Sequence, residues 1–217
     1  MFCNKNKLNW DDFDGLRETV KSLVKERRYI HTLGVEEEAI NLAKIFECDE
    51  IFAKKLKSAA ILHDITKEFD FKKQLEICKE YNITLSKDDK KTVKAIHAKT
   101  GAYVAKIEFN ADDMIFGGIY NHTFGDPSEN FKLFDKIIYL ADYIEPSRTF
   151  EDCVEVREFF YSRIKDFLNP EEKNKIIDET ILFSYNKTIE SLIKENAYMH
   201  KDTIKCRNAL INKKIIV

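Results

Sequence analysis

Hydrophobic residues recur at helical spacing along almost the whole chain. Phe13, Leu16, Val20 and Leu23 form a typical example, because residues three or four apart lie on one face of an amphipathic helix. Neither an internal repeat nor a linker interrupts the pattern. It predicts helices over residues 11–25, 29–46, 50–63, 70–81, 87–109 (one or two helices, bent near Gly101), 112–120, 131–144, 150–167 and 170–198, and a terminal helix or tail over 201–217.

The composition supports an all-helical fold. The chain has 217 residues, of which only 6 are glycine and 3 are proline, whereas a sheet protein needs a tight turn about every 8–12 residues. The length suits one generous domain better than two small ones. We therefore predict an all-α protein, a single bundle of about nine to eleven helices.

The charges, the cysteines and the lengths of the apolar runs exclude several classes of protein. The 36 basic and 38 acidic residues nearly cancel, which disfavours binding to nucleic acid or to an anionic membrane. The five cysteines are scattered and form no Cys-x-x-Cys pair, so neither a disulfide framework nor a zinc knuckle is indicated. No apolar run approaches a signal peptide or the roughly 18 residues of a membrane span. We expect a cytoplasmic protein.

Two charged runs are predicted to lie on solvent-exposed helix faces. They are the acidic run Glu36, Glu37 and Glu38 and the basic pair Lys90 and Lys91. The basic residues near the C-terminus could contact nucleic acid, but an ordinary surface explains them better.

A few ionisable residues interrupt otherwise apolar helices. His63 and Asp64 close one apolar run, and Asp142 lies inside another. His31 begins a helix beside Leu33, which we place on the inward face. Burying an isolated carboxylate costs several kcal/mol, and one divalent metal ion bound by these residues would offset their burial costs together. A mixed set of nitrogen and oxygen ligands suits iron, manganese or zinc better than calcium.

The residues alone leave a second interpretation open. Each histidine could be an ordinary hydrogen-bonded core residue, and Asp142 could cap a helix or pair with an arginine. The spacing of these residues does not decide between this interpretation and a metal centre. Phosphate-binding loops and serine-nucleophile motifs are absent from the sequence.

A resemblance to a known family favours the metal centre. The order His31, His63-Asp64, Asp142 matches the metal-ligand pattern of the HD phosphohydrolase superfamily. Five segments, in the right order, resemble the YqeK family of bacterial HD proteins: Arg27-Arg28-Tyr-Ile-His31-Thr-Leu-Gly-Val35, Leu62-His-Asp-Ile-Thr-Lys67, His97-Ala-Lys-Thr-Gly-Ala102, Asn121-His-Thr123 and Ile138-Tyr-Leu-Ala-Asp-Tyr-Ile-Glu-Pro146. The resemblance implies an HD domain over 27–197, preceded by a helical segment of the same domain over 1–26 and followed by a basic helix or tail over 198–217.

Members of this family are symmetrical bis(5′-nucleosyl)-tetraphosphatases, which split diadenosine tetraphosphate into two ADP molecules at an iron-containing site. The resemblance therefore implies that His31, His63, Asp64 and Asp142 bind the metal. We expect the site to bind one iron ion, and a second ion is compatible with the ligand set. Manganese or another divalent metal could substitute for iron. We expect Asp64 also to orient or deprotonate the attacking water.

The same resemblance implies a set of phosphate-binding residues. Lys67, one turn after His63-Asp64, would contact phosphate and act as a catalytic residue. Arg148 would bind a phosphate oxygen. His97 and His122 would face the polyphosphate or hold water, unless they bind a second metal ion. Thr123 belongs to the same substrate-binding set.

The chain departs from the family pattern at three positions, of which only Phe124 bears on the nucleotide pocket. Phe124 stands where the family commonly has threonine, Lys99 replaces a frequent proline, and Glu38 stands where threonine is common. None removes a proposed ligand.

Two other functions remain open at this point. One is an HD phosphohydrolase acting on a nucleoside mono- or triphosphate or on a cyclic nucleotide. The other is a nucleotide-binding regulatory module without turnover. The expected partners are a dinucleoside polyphosphate and its ADP product, without nucleic acid or membrane, and a homodimer is left open.

Overall fold

A computed structural model describes residues 8–128 and 131–215, and these residues form α-helices, one short 3₁₀ turn and loops, without a β-strand. The predicted all-α fold is confirmed. The helices are α1 (Phe13–Leu23), α2 (Glu26–Ile45), α3 (Glu50–Leu62), α4 (Phe71–Glu80), α5 (Lys87–Lys91), α6 (Ile96–Glu108), α7 (Asp113–Asn121), α8 (Leu133–Ile144), α9 (Glu151–Arg163), α10 (Pro170–Lys194) and α11 (Lys201–Ile215), with the 3₁₀ turn (Val93–Ala95) before α6.

Short polar side chains fix where several helices begin. Asp12, Asp49, Asp70 and Asp112 precede α1, α3, α4 and α7, and each accepts a hydrogen bond from a backbone N–H of the first turn. Asn169 forms a reciprocal capping box at the start of α10, whose first residue is a proline. These caps satisfy N–H groups that have no partner inside the helix.

Four helices are followed by a non-glycine residue in the left-handed conformation. Glu47, Asn82, Asn110 and Asn196 follow the ends of α2, α4, α6 and α10, with φ values of 53°, 56°, 54° and 54°. Asparagine tolerates this left-handed conformation better than other non-glycine residues. The chain can therefore reverse direction repeatedly with very few glycines.

The core is built around α3 and α8. Helix α3 packs against α1, α2, α6, α7 and α8, and α8 also packs against α2, α7, α9 and α10. The inner faces of both are fully buried, for example at Leu56, Ile61, Ile137 and Leu140. Because the ends of α3 and α8 lie in the middle of the bundle, polar residues there meet in an apolar interior. Among the described residues, no helix is long and apolar enough to cross a membrane.

Several predicted boundaries are wrong. The predicted helix 87–109 breaks near Thr92, where α5 gives way to the 3₁₀ turn, and Gly101 lies inside the continuous helix α6. Thr92 has neither helical nor extended geometry, with φ −117° and ψ 54°. The helices predicted to reach residues 167 and 198 end at Arg163 and Lys194.

Two predictions of side-chain exposure are also wrong. Glu36 and Glu38 are buried although we placed the acidic run on a solvated face, because Arg17 pairs with Glu36 and the Tyr161 hydroxyl donates to Glu38. Burial raises the pKa of Glu38 against the lowering effect of that hydrogen bond. Leu33, predicted to face inward, is exposed. Lys90 and Lys91 are exposed as predicted.

Two adjacent glycines in α7 provide a matched test of the α7–α8 contact. An added Cβ at Gly118 would lie 2.6 Å from the buried Phe134 ring, whereas one at Gly117 would approach no atom closer than 3.4 Å. We expect Gly118→Ala to lower the free energy of unfolding by about 1–3 kcal/mol, because the ring cannot move aside. Gly117→Ala should leave stability unchanged or raise it by up to about 1 kcal/mol. Urea denaturation followed by circular dichroism measures both, and equal losses would contradict this account of the packing.

Candidate metal centre

The centre begins where α3 ends. His63 and Asp64 directly follow α3 and are 0% and 2% exposed. The Nδ1 atom of His63 lies 2.7 Å from the carbonyl oxygen of Ala60 and donates to it. In a neutral imidazole this leaves Nε2 with a lone pair, and Nε2 is the atom that faces the interior of the bundle.

His31 and Asp142 reach the same point from α2 and α8. The Nε2 atom of His31 lies 3.0 Å from Asp142 Oδ1, and His63 Nε2 lies 3.8 Å from the same oxygen. On the other side of the His31 ring, Nδ1 lies 2.9 Å from Glu145 Oε1. That carboxylate fixes the ring so that Nε2 presents its lone pair to the centre. His31, His63 and Asp142 thus form one group with metal-ligand spacing.

Asp64, His97 and His122 form a second such group next to the first. His97 Nε2 lies 3.0 Å from both Asp64 Oδ1 and His122 Nε2, and His122 donates from Nδ1 to the carbonyl of Ile119 at 2.6 Å. The other oxygen of Asp64, Oδ2, lies 3.5 Å from His63 Nε2. The Asp64 carboxylate therefore faces both groups, one with each oxygen.

The two carboxylates are held in the charged form. Burial alone would raise the pKa of Asp64, but neighbouring groups, above all the positive charge of Lys67, outweigh burial and hold that pKa well below its usual range. Burial opposes ionisation of Asp142 too, yet Arg148 and His31 hold its pKa well below the usual range. A charged carboxylate is the form that binds a metal ion.

The histidines divide into two kinds. Burial lowers the pKa of His63, and burial together with the charge of Lys67 lowers that of His97 to about 3, so both are neutral near neutral pH. Burial also opposes protonation of His31, but the nearby carboxylates of Asp142 and Glu145 outweigh burial and raise its pKa.

Buried atoms without partners test whether the site fits a metal ion. Within the described residues, His31 Nε2, His63 Nε2 and Asp64 Oδ1 are buried and have no properly aligned hydrogen bond. Leaving such atoms unsatisfied is costly, and all three face the centre. Their nitrogen and oxygen donors suit a divalent transition metal. The interpretation of His31 and His63 as ordinary hydrogen-bonded core histidines does not account for their unpaired Nε2 atoms.

The predicted phosphate-binding residues line the edge of the same centre. Lys67 Nζ lies 3.0 Å from His97 Nε2 and 3.7 Å from Asp64 Oδ1. Thr123 Oγ1 lies 3.2 Å from His122 Nε2. Arg148 donates from Nη2 to Asp142 Oδ1 at 2.8 Å. The structure brings all nine predicted site residues together.

Sequence reasoning missed two residues of the centre. Glu145 is fully buried and accepts from His31 and from the backbone and hydroxyl of Ser147. Arg28 donates from Nη1 to Asp64 Oδ2 at 2.8 Å. Both lie within the quoted family motifs, and a charged residue directly before Pro146 was the available signal for Glu145.

Arg157 in α9 holds the segment that carries Glu145 and Arg148. Its guanidinium donates to three backbone carbonyls, those of Ile144, Glu145 and Arg148, at 2.5, 2.6 and 2.8 Å. These carbonyls lie at and beyond the end of α8, where no helical N–H is available to them. A cation at a helix C-terminus also interacts favourably with the helix dipole.

A cavity of about 820 Å³ opens from the centre to solvent. His31, Glu145 and Arg148, which belong to the centre, line it together with Lys25, Glu26, Arg27, Arg28 and Glu68, so that basic side chains outnumber acidic ones. Basic side chains around an opening to a metal-ligand cluster favour an anionic ligand such as a polyphosphate.

Comparison with known proteins identifies the family. Residues 28–147, which include His31, His63, Asp64 and Asp142, match the model of the HD domain. The chain belongs to the HD-domain family. A symmetrical bis(5′-nucleosyl)-tetraphosphatase of Halalkalibacterium halodurans is 36% identical over 89% of this chain and 94% of its own length. These findings confirm the family predicted from the motifs.

Two further HD relatives extend the similarity. The symmetrical bis(5′-nucleosyl)-tetraphosphatase of Bacillus subtilis is 32% identical over 89% of this chain and 94% of its own length. A solved structure from Clostridium acetobutylicum, described as a predicted HD superfamily hydrolase involved in NAD metabolism, is 30% identical with a TM-score of 0.79. It covers 93% of this chain and 98% of its own. The all-α architecture is thus shared with a solved HD protein.

The hydrogen bond from Glu145 to His31 yields a prediction about metal affinity. We expect Glu145→Gln to weaken binding of Mn²⁺ by about 10- to 100-fold, because the amide no longer favours the tautomer that leaves His31 Nε2 free. Titration calorimetry of the metal-depleted protein measures this loss. Glu37→Gln, on the exposed side of α2, is the matched control and should bind as the wild type does. Equal affinities for all three proteins would remove Glu145 from the centre.

Proposed function

We propose that this protein is a metal-dependent phosphoanhydride hydrolase that cleaves diadenosine tetraphosphate symmetrically into two ADP molecules. The observation that carries the proposal is the Asp64 carboxylate between two groups of ligand-type side chains, next to a basic cavity of about 820 Å³. Relatives named for this activity, 29–36% identical over about 89% of the chain, support the choice of substrate.

We propose that His31, His63 and Asp142 hold one metal ion and that Asp64 contributes to the same site. His97 and His122, which we expected to face phosphate or hold water, have the spacing to hold a second ion together with Asp64. Iron is the proposed ion, with manganese or another divalent metal as a substitute. When bound, such an ion supplies Lewis-acid chemistry and makes water a better nucleophile near neutral pH.

The protein's own residues position the reactants. The reaction adds one water to a central phosphorus and breaks the bond from that phosphorus to the oxygen that bridges the two central phosphorus atoms. One product keeps the bridging oxygen and the other gains the oxygen of water, so each product is ADP. We propose that Asp64 orients the attacking water, since its oxygens face both ligand groups. Lys67 and Arg148 neutralise charge on the transferred phosphoryl group and on the departing ADP.

The state of the cysteines supports a proposal about the cellular compartment. Four cysteines that the structure describes are free thiols, as expected for a protein of a reducing compartment. They are Cys48, Cys78, Cys153 and Cys206. We therefore propose that the protein acts in the cytoplasm, where its substrate is a small molecule.

Product analysis tests the proposed reaction directly. The iron-loaded protein is incubated with diadenosine tetraphosphate in heavy-oxygen water, and the nucleotides are separated and weighed by mass spectrometry. We expect ADP alone, with one heavy oxygen in half of the molecules, because one water attacks one central phosphorus. AMP with ATP would place the attack elsewhere, and no product from fully metallated protein would support another nucleotide substrate or the regulatory interpretation.

A carboxylate-to-amide change tests the role of Asp64. We expect Asp64→Asn to lose bound metal and to lower kcat by at least about 1,000-fold, because it removes a ligand and the group that orients water. Asp113→Asn is the matched control, since Asp113 is exposed and pairs with Lys106 at the surface, away from the centre. Metal content by elemental analysis and steady-state kinetics measure the two effects. An active, fully metallated Asp64→Asn protein would overturn the assignment.

A further inference from the structure

Two cavities meet at Arg148 and Phe150. The basic cavity of about 820 Å³ lies on one side of this pair, and a second cavity of about 520 Å³ lies on the other. Both volumes fall in the range of about 300–1,000 Å³ that is usual for small-molecule sites. A substrate with a nucleoside at each end of its phosphate chain needs room on both sides of the reacting phosphorus.

The two cavities differ in charge. The first, which adjoins the metal-ligand groups, is lined by more basic than acidic side chains: Lys25, Arg27, Arg28 and Arg148 against Glu26, Glu68 and Glu145. Five acidic residues line the second, against only two lysines and the shared Arg148: Glu151, Asp152, Glu155, Glu190 and Glu195. An acidic lining repels phosphate but accepts hydrogen bonds from ribose hydroxyls and base amino groups. The second cavity thus suits an uncharged nucleoside.

Phe150 is an unusual residue for its position. It is the N-cap of α9, where serine, threonine, aspartate and asparagine are preferred, and its side chain makes no capping hydrogen bond. The residue is nevertheless 59% exposed, so burial does not explain a phenylalanine there. An exposed aromatic ring at the junction of two cavities is suited to stacking on a base.

Arg148, two residues earlier, is fixed in place by its hydrogen bond to Asp142 Oδ1. Arg148 therefore contacts a candidate metal ligand and, like Phe150, lines both cavities. A phosphate bound by Arg148 would bring the attached nucleoside to the rim where Phe150 lies.

Building on the proposed function, we propose that Phe150 is a specificity residue that stacks on the base of the second nucleoside of a dinucleoside polyphosphate. The phosphate chain and one nucleoside occupy the basic cavity, and the second nucleoside passes Arg148 into the acidic cavity. Phe150 thereby distinguishes a substrate with two nucleosides from a nucleotide with one.

Steady-state kinetics of Phe150→Ala test this assignment. We expect KM for diadenosine tetraphosphate to rise about tenfold, on the scale of one base–aromatic stacking interaction, while kcat stays close to that of the wild type. Phe150→Trp should restore KM, because it keeps an aromatic face. Phe167→Ala is the matched control, since Phe167 is 86% exposed and lines neither cavity. Thermal denaturation checks that all variants fold.

A second ligand separates stacking on the second nucleoside from a general loss of binding. Adenosine 5′-tetraphosphate has the same phosphate chain but only one nucleoside, and its inhibition constant against diadenosine tetraphosphate should be the same for the wild type and Phe150→Ala. An equal weakening of both ligands, or an unchanged KM in Phe150→Ala, would overturn the role of Phe150. A wild type that does not form ADP from diadenosine tetraphosphate would instead contradict the proposed function itself.

Discussion

The interior of this helical bundle contains a cluster of five buried ionisable side chains, together with the partly exposed Asp142. The five are His31, His63, Asp64, His97 and His122. A cluster of this kind cannot persist in an apolar core unless cations and hydrogen bonds balance it. Arg28, Lys67 and Arg148 supply cations on its open side, and backbone carbonyls together with Glu145 orient three of the imidazoles. The arrangement of α2, α3 and α8 follows from this requirement, since each contributes a residue that none of the others could replace.

The helical architecture could be predicted from the sequence because the apolar spacing in α1, α3 and α8 is determined by burial in one core. The errors occur where tertiary contacts override the local pattern. Glu36 and Glu38 are buried because Arg17 and Tyr161, distant in sequence, provide their partners. The break near Thr92 has no glycine or proline to announce it. Exposure of a charged run therefore depends on partners that spacing does not reveal.

The candidate centre was more predictable than its surroundings. His63 and Asp64 follow an apolar helix and Asp142 lies inside another, which is visible in one sequence, and the family motifs then pointed to metal ligands. Glu145 and Arg28 act by contacting other residues of the centre, so their roles depend on distances across the bundle. The junction of the two cavities at Phe150 likewise arises from how α8, α9 and α10 pack, which no motif encodes.

The three hydrogen bonds from Arg157 have a consequence for thermal inactivation. They join α9 to the segment after α8, in which Glu145 is buried but Pro146 and Ser147 are exposed, whereas the inner faces of α3 and α8 are fully buried. Surface segments open locally at a lower free energy than the whole protein unfolds. On heating, this anchor should therefore release Glu145 and Arg148 while the bundle remains folded, so that the loss of turnover begins before the melting of the helices.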